Sequence, residues 1–317
     1  MHFSLVKINP EDAQPSHGFD DVILPLYYAL QHLGYQAEIL FNRVNPKSRN
    51  IVFGSCIAPR RVGRELPPGS VIFNLEQLTP DSKWCNPNYL AHLRDYTVWD
   101  YSARNVAGLA EQGITAAHVP LGYVPEMTRL PHFSHFSGPG QSSAPAGLLF
   151  YGLITERRDA MLRKLVAERL PLLASQDAFG DLRDKLLLSS RLVLNLHNYL
   201  PARLEVVRLG YVWANKKPVL SERRADTEIP DYLAEACCFV EYDDLPAAAA
   251  RLLGNQTELD RQSERGFKAF SSRPMTAGLE KLLGRRSHGA ATAIQPHAAA
   301  PADPAGRPPE WQIRKPA

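Results

Sequence analysis

No stretch of the chain approaches the roughly 18 consecutive apolar residues of a bilayer span, so no transmembrane helix is expected and any membrane association is peripheral. Charge of one sign is not in excess. Lys and Arg number 36 against 33 for Asp and Glu, a balance too even to argue for a nucleic-acid partner. Cysteine is scarce: Cys56, Cys85, Cys237 and Cys238 show neither zinc-ligand nor redox spacing, and the adjacent pair makes a poor disulfide. A reducing, cytoplasmic setting is the simplest expectation. The opening MHFSLVKINP has no long apolar core and no small-residue cleavage pattern, so no signal peptide is expected. A Walker loop, a Gly-x-Gly-x-x-Gly fingerprint and a Ser or Cys nucleophile elbow are also missing. The missing fingerprint argues against a nicotinamide cofactor.

What remains is ordinary globular composition, 44% hydrophobic and 22% charged over 317 residues, enough for two domains at about 150 residues each. Short apolar runs alternate with helical spacing. Residues 1–8, 36–41, 50–53, 71–75, 96–100 and 116–119 read as strands. A helix carrying Val22, Leu26, Leu30 and Leu33 stops at Gly34, and another over 102–112 stops at Gly113. Strands separated by helices predict a parallel, doubly wound sheet, because parallel neighbours need a long crossover. Residues 132–147, HFSHFSGPGQSSAPAG, read as a flexible linker. The alternation then restarts: strands at 148–151, 192–196, 218–220 and 239–241, helices at 156–170, 181–188 and 203–214. The layout is therefore an α/β domain over 1–131 and a second over 148–256. Terminal helices follow to 286, then an Ala/Pro-rich tail, 287–317, expected to be disordered. Two such domains leave a cleft, where α/β folds bind small ligands.

Three segments could carry chemistry. In LVLNLHNYLPARLEVVRLGYVWANKKPVLSE, residues 192–222, an apolar strand runs out at His197 and Asn198, and Pro201 suits the first turn of the following helix. Glu205 and Arg208 lie three apart near that helix start. There a carboxylate is favoured by the dipole and can accept hydrogen bonds from a diol such as a ribose; alternatively the two form an ion pair that only steadies the helix. In LLFYGLITERRDAMLRKL, residues 148–165, Gly152 and a helix start with Thr155 as a plausible cap make an anion site, with Arg157 or Arg158 as bidentate donors for a pyrophosphate. The alternative is a solvated helix face. In NPEDAQPSHGFDDVILPL, residues 9–26, His17 or Asp20 could act as a general base on an acceptor hydroxyl. Equally, Asp20 or Asp21 caps the helix. Glu76 and Asp100 also stand at strand ends, with Ser102 as a cap.

The segment from Asn195-Leu196-His197 through Leu204-Glu205-Val206-Val207-Arg208 to Ala214-Asn215-Lys216-Lys217-Pro218-Val219-Leu220-Ser221-Glu222 resembles the donor-binding core of the GT-B glycosyltransferases. The resemblance covers most of residues 148–245, while the first domain matches in architecture more than in motif. It implies two Rossmann-like domains facing across a cleft and transfer of a sugar from a nucleotide-sugar donor to a glycan or lipid-linked acceptor. It places Glu205 on the nucleotide ribose, the Gly152–Arg158 loop at the pyrophosphate, Arg208, His197 and Asn198 in the donor pocket, and residues 9–26 on the acceptor side. VPLGYVPEM, residues 119–127, resembles the connection between the domains and implies a hinge. Many retaining relatives carry a second glutamate eight positions before the ribose-binding one; here that position is His197, which either binds a donor hydroxyl or phosphate or is satisfied by backbone. No Asp-x-Asp metal motif of the other large glycosyltransferase fold is present, so neither a metal nor a separate cofactor is expected. A protein of the same shape that holds a nucleotide or glycan without turnover is the rival reading.

Overall fold

The computed structural model describes residues 1–9, 14–57, 66–78, 82–130, 146–198, 204–225 and 227–284. Six strands, β1 (His2–Lys7), β2 (Gln36–Phe41), β3 (Arg49–Phe53), β4 (Val71–Asn74), β5 (Thr97–Asp100) and β6 (Ala116–His118), form one sheet in the order β2-β1-β3-β4-β5-β6. Five more, β7 (Ala146–Tyr151), β8 (Leu172–Ser175), β9 (Ser190–Asn195), β10 (Val219–Glu222) and β11 (Cys238–Val240), form a second in the order β11-β10-β9-β7-β8. Every pairing in both sheets is parallel. The helices are α1 (Asp20–His32), α2 (Pro87–Arg94), α3 (Ala103–Glu111), α4 (Glu156–Ala167), α5 (Gly180–Leu188), α6 (Val206–Ala214), α7 (Leu245–Leu253), α8 (Gln256–Ser271) and α9 (Met275–Leu282).

Unbroken apolar runs are what a sheet covered on both faces requires. Phe3, Leu5, Ile51, Phe53, Val71 and Phe73 bury one face of the first sheet with α1, while Val6, Val52, Ile72 and Val98 bury the other with Tyr89, Leu93 and Leu109. The second sheet divides likewise. Leu148, Phe150, Leu192 and Leu194 pack under Met161 and Leu165 of α4, and Leu149 and Val193 face the other way with Val212 of α6. The inner faces of both sheets, α1, α6 and α9 share one continuous core, and residues Met1–Gly284 form one compact unit.

Several expectations need correction. The helix expected from Arg203 starts at Val206, with Glu205 as its N-cap residue, and Pro201 lies outside the described residues. So do residues 132–145 of the expected linker and the 287–317 tail, whereas Ala146 and Gly147 already belong to β7. The terminal helices are α8 and α9. Three elements, α2, β8 and α7, had no counterpart in the sequence reading.

The chain crosses between the sheets twice, and the crossings run side by side. Tyr123 N donates to Arg273 O at 2.8 Å and Met275 N to Tyr123 O at 2.9 Å. Asn215, in the turn after α6, clamps the outgoing crossing. Its Oδ1 accepts from Arg129 N at 2.7 Å and Leu130 N at 2.8 Å, and its Nδ2 donates to Met127 O and Tyr211 O, both at 2.8 Å. The side chain is buried, so no water would replace those bonds. Asn215→Ala is therefore expected to cost about 2–4 kcal/mol, from the four buried hydrogen bonds it removes. Urea unfolding measures it; a loss below about 0.5 kcal/mol would show that the clamp adds nothing.

Candidate functional site

In a parallel sheet all carboxyl ends open on one edge, and ligands enter where the strand order reverses. For the second sheet that point lies between β7 and β9, the first strand having neighbours on both sides. The segments leaving those two strands there are Gly152 and Leu196–His197. Gly152 has φ +124°, a region side chains avoid, and an added Cβ would lie 2.9 Å from Nη2 of Arg208. The glycine thus gives Arg208 room to reach across from α6. Its guanidinium sits over the Tyr151 ring, 5.6 Å from the centroid.

Glu205 is the centre of this edge. Asn195 Nδ2 donates to its Oε2 at 2.8 Å and to Ser221 Oγ at 3.0 Å. His197 Nδ1 lies 3.1 Å from the same Oε2, and Nη2 of Arg158 stands 3.8 Å from Oε1. The side chain keeps 13% exposure, so the carboxylate neither faces bulk solvent nor is sealed in, and Oε1 retains acceptor capacity. The expected alternative, a Glu205–Arg208 ion pair, is not formed among the described residues. Arg208 Nη1 goes to Asn195 Oδ1 at 3.4 Å.

Burial alone would raise the Glu205 pKa, yet the hydrogen bond and charge of His197, with Arg208 and Asn195, hold it below its usual value. Burial likewise opposes the His197 cation, and Glu205 with Glu222 overcomes it, raising that pKa. The lowered acid contributes stability above its unfolded pKa, lost as pH falls through the folded value. The raised base contributes stability below its unfolded pKa, lost as pH rises through its folded value. Together the pair is fully effective between the ordinary values of 4.5 and 6.5. The stability gap between wild type and His197→Gln is thus expected to be widest in that window and to narrow as pH rises above it through the raised His197 pKa. Thermal melts across pH check this; a gap independent of pH would remove the charged pair.

Arg157 and Arg158 diverge although they are neighbours on α4. Arg157 forms a bidentate pair with the fully buried Glu222, whose Oε2 also accepts from His197 N at 3.1 Å. It stacks 4.1 Å from the Tyr242 ring centroid. Arg158 is buried, donating to Leu196 O through Nε (3.1 Å) and Nη2 (2.6 Å) and to Leu153 O through Nη1 (2.8 Å). Burial and the nearby Arg208 lower its pKa to about 10. Arg158 is no part of a solvated helix face, and it ties the loops leaving β7 and β9 together. Thr155 occupies the cap position without a side-chain cap bond. Asn198 follows His197, its buried Oδ1 without a hydrogen-bond partner among the described residues.

On the first sheet the order reverses between β1 and β3, beside the loop holding His17. Asp20 and Asp21 do not cap α1; they are its first two residues, and the cap position is Phe19. Asp20 accepts from the buried Lys7 Nζ at 2.9 Å through both oxygens and lies 3.8 Å from His17 Nδ1. His17, about one-third exposed, packs on Phe179. Asp21 pairs with Arg183 of α5, which stacks 3.5 Å from the Tyr211 ring centroid. Tyr211 Oη donates in turn to Asp184 Oδ1 at 2.7 Å. Burial raises the Asp21 pKa, and Arg183 only partly offsets it. These contacts bring the carboxyl-end loops of the two sheets together, with Tyr151 in the field of both Arg183 and Arg208.

Asp100 is fully buried among Asn74, Asn105 and Ser102 N, a structural web, and Ser102 caps α3 as expected. Glu76 stands beside Cys56 at 3.6 Å, its pKa raised by burial. Arg183 lies in no motif of the sequence, Tyr151 stands inside the 148–165 segment, and Asn195 and Glu222 stand only as the ends of the resembling segment, with no role attached to any of them. Asn195 and Glu222 end the strands flanking His197, and a polar residue closing a buried strand was the available signal. Among the described residues no group of three His, Cys, Asp or Glu is placed to hold a metal ion. No helix of the described residues is long and apolar enough to cross a membrane.

No family model matches the chain, and no curated protein matches it. Solved structures do. HepE of Anabaena in complex with UDP and glucose aligns with TM-score 0.59 at 9% identity, over 90% of this chain and 99% of its own. WaaG, a glycosyltransferase of lipopolysaccharide biosynthesis, aligns with TM-score 0.53 at 10% identity, over 91% and 100%. Sucrose-phosphate synthase of Thermosynechococcus elongatus aligns with TM-score 0.53 at 11% identity, over 90% and 98%. At such identities the likeness establishes the fold, which is GT-B.

Proposed function

We propose that this chain transfers a sugar from a nucleotide-sugar donor to a glycan or lipid-linked acceptor. The observation that carries the proposal is the convergence, at the reversal point of the second sheet, of a partly accessible carboxylate with an excess of cations. Glu205 would accept from the ribose hydroxyls through Oε1. Arg208, set beside Gly152, would face the diphosphate, and His197, with its ring nitrogens at Glu205 and Thr227, would hold the carboxylate in place behind it. As the donor breaks, negative charge grows on the leaving diphosphate, and fixed cations oriented beforehand stabilise it with little reorganisation. This assigns the charge-stabilising work to side chains without calling on a metal. The likeness to HepE, which was solved in complex with UDP and glucose, supports the nucleotide class.

The acceptor would enter against the first sheet. Asp20, itself anchored by Lys7, lies 3.8 Å from His17 Nδ1; were the transfer to invert, His17 would act as general base with Asp20 as its positioning residue. Contact between the carboxyl-end loops of the two sheets would exclude water that otherwise hydrolyses the donor. The rival, binding without turnover, draws on His197 standing where many retaining relatives carry a glutamate.

A panel of nucleotide sugars in a thermal-shift assay, followed by nucleoside diphosphate release from the best donor with acceptor extracts, tests the proposal. The expected result is a rise in melting temperature for one donor class and acceptor-dependent release. Binding without release for any acceptor would favour the rival.

A further inference from the structure

At the opposite end of the second sheet the surface opens into a hollow of about 390 Å³. Ser190 and Arg191 at the start of β9, Lys217 before β10, and Gln256, Asp260 and Ser263 along α8 line it. The six residues of β9, at about 3.3 Å each, put it roughly 15–20 Å from the Glu205 cluster, so the hollow is not an annexe of that site. Its size falls within the small-molecule range.

The charges there are unevenly matched. Lys216 Nζ pairs with Glu264 at 2.9 Å. Lys217 is held back in the wall, its Nζ donating to the Ser190 carbonyl at 3.1 Å, and burial pulls its pKa down to about 8. Arg191 Nη2 donates to the neutral Gln256 Oε1 at 3.0 Å. Neither cation has a carboxylate partner among the described residues. Asp260, the one acid on the wall, accepts from Gln256 Nε2 at 2.7 Å. Gln256 also opens the 16-residue α8, whose positive dipole end adds to the same field. Two cations satisfied only by neutral oxygens, one of them losing charge through desolvation, suit a compact dianion with its own oxygens to offer.

We propose that this hollow is a second binding site, for a small phosphomonoester, with the phosphate between Lys217 and Arg191 and hydroxyls of the remainder against Asp260 and Ser263. The site is independent of glycosyl transfer. An arriving phosphate would restore the full charge of Lys217, so binding near pH 8 takes up a proton.

The test uses the whole protein with inorganic phosphate as probe. Acetylation of each lysine by acetic anhydride at about pH 8 is followed by mass spectrometry, with and without phosphate. Modification of Lys217 is expected to slow about tenfold once phosphate exceeds its Kd about tenfold, because only the unliganded state reacts, while Lys185 and Lys281 react as before. Arg191→Met is expected to weaken that protection about tenfold, the usual loss for one charge-assisted contact. The wild-type measurement stands by itself should that variant not fold. Vesicles of phosphatidylcholine with and without phosphatidic acid identify the source of the phosphate. Protection by free phosphate and not by vesicles supports the proposal. Protection by phosphatidic acid vesicles alone, or equal acetylation of Lys217 in every condition, would overturn it.

Discussion

Glu205→Gln is expected to weaken nucleoside diphosphate binding about ten- to a hundredfold, the range for a hydrogen bond to a charged group. The amide keeps the shape of the side chain and removes its charge, so the ribose loses an anionic acceptor and His197 loses the partner that raises its pKa. Stability should fall by about 1–3 kcal/mol, because His197 Nδ1 and Asn195 Nδ2 keep a neutral partner at most. Glu205→Ala is the poorer test. It strips both of those buried donors at once, and a cost of about 3–5 kcal/mol, typical of a broken buried pair, would confound binding with folding. Calorimetry beside urea unfolding separates the two effects in the glutamine variant. Unchanged affinity with lowered stability would make Glu205 purely structural.

Arg183→Met should be the more destructive change to the fold. It leaves Asp21 and Asp184 buried, with the Tyr211 hydroxyl and the distant edge of Arg129 as their remaining support. Removing one partner of a buried pair costs about 3–5 kcal/mol, or about 5–8 °C in melting temperature for a compact unit of this size. The sign of the pH effect is opposite to that of an ordinary ion-paired acid. Asp21 already titrates above its usual value, and without Arg183 it should rise further. Its folded form then binds a proton more readily than its unfolded form, so the deficit should shrink as pH falls toward about 4. Asp21→Asn in the same background should recover part of the loss at neutral pH. A variant as stable as wild type would show that this contact between the sheets contributes nothing.

Strands such as Val71–Asn74 and Ser190–Asn195 were legible because a sheet buried on both faces leaves an apolar run, here VIF and LVL. β8 was not: Leu172–Ser175 is a short, half-buried edge strand, which differs little from loop. α2 carried a legible start, Asn86 capping and Pro87 in the first turn, but its weak apolar stripe hid it. Within the site, the break at Gly152 and the polar run-out of the strand before His197 could be read from local spacing, whereas the helix start was expected at Arg203, ahead of the Glu205 cap. What lay beyond local spacing was pairing. Asp21 and Arg183 are 162 positions apart, and Arg157 and Glu222 are 65 apart. Nothing in a single sequence says that of two adjacent arginines one will turn to Glu222 while the other goes to the carbonyls of Leu196 and Leu153. Burial of Asn215 in the crossing was equally hidden, because a polar residue in a Lys-Lys-Pro turn reads as solvent-exposed.

The most direct measurement compares the preferred nucleoside diphosphate with its 2′,3′-dideoxy analogue, by calorimetry, in wild type and Glu205→Gln. If the carboxylate holds the ribose, removing its hydroxyls should cost wild type about tenfold or more in affinity and cost the variant little, a coupling of about 1.4 kcal/mol or greater. Equal losses in both proteins would mean that Glu205 does not touch the sugar, and the nucleotide assignment of this site would fail.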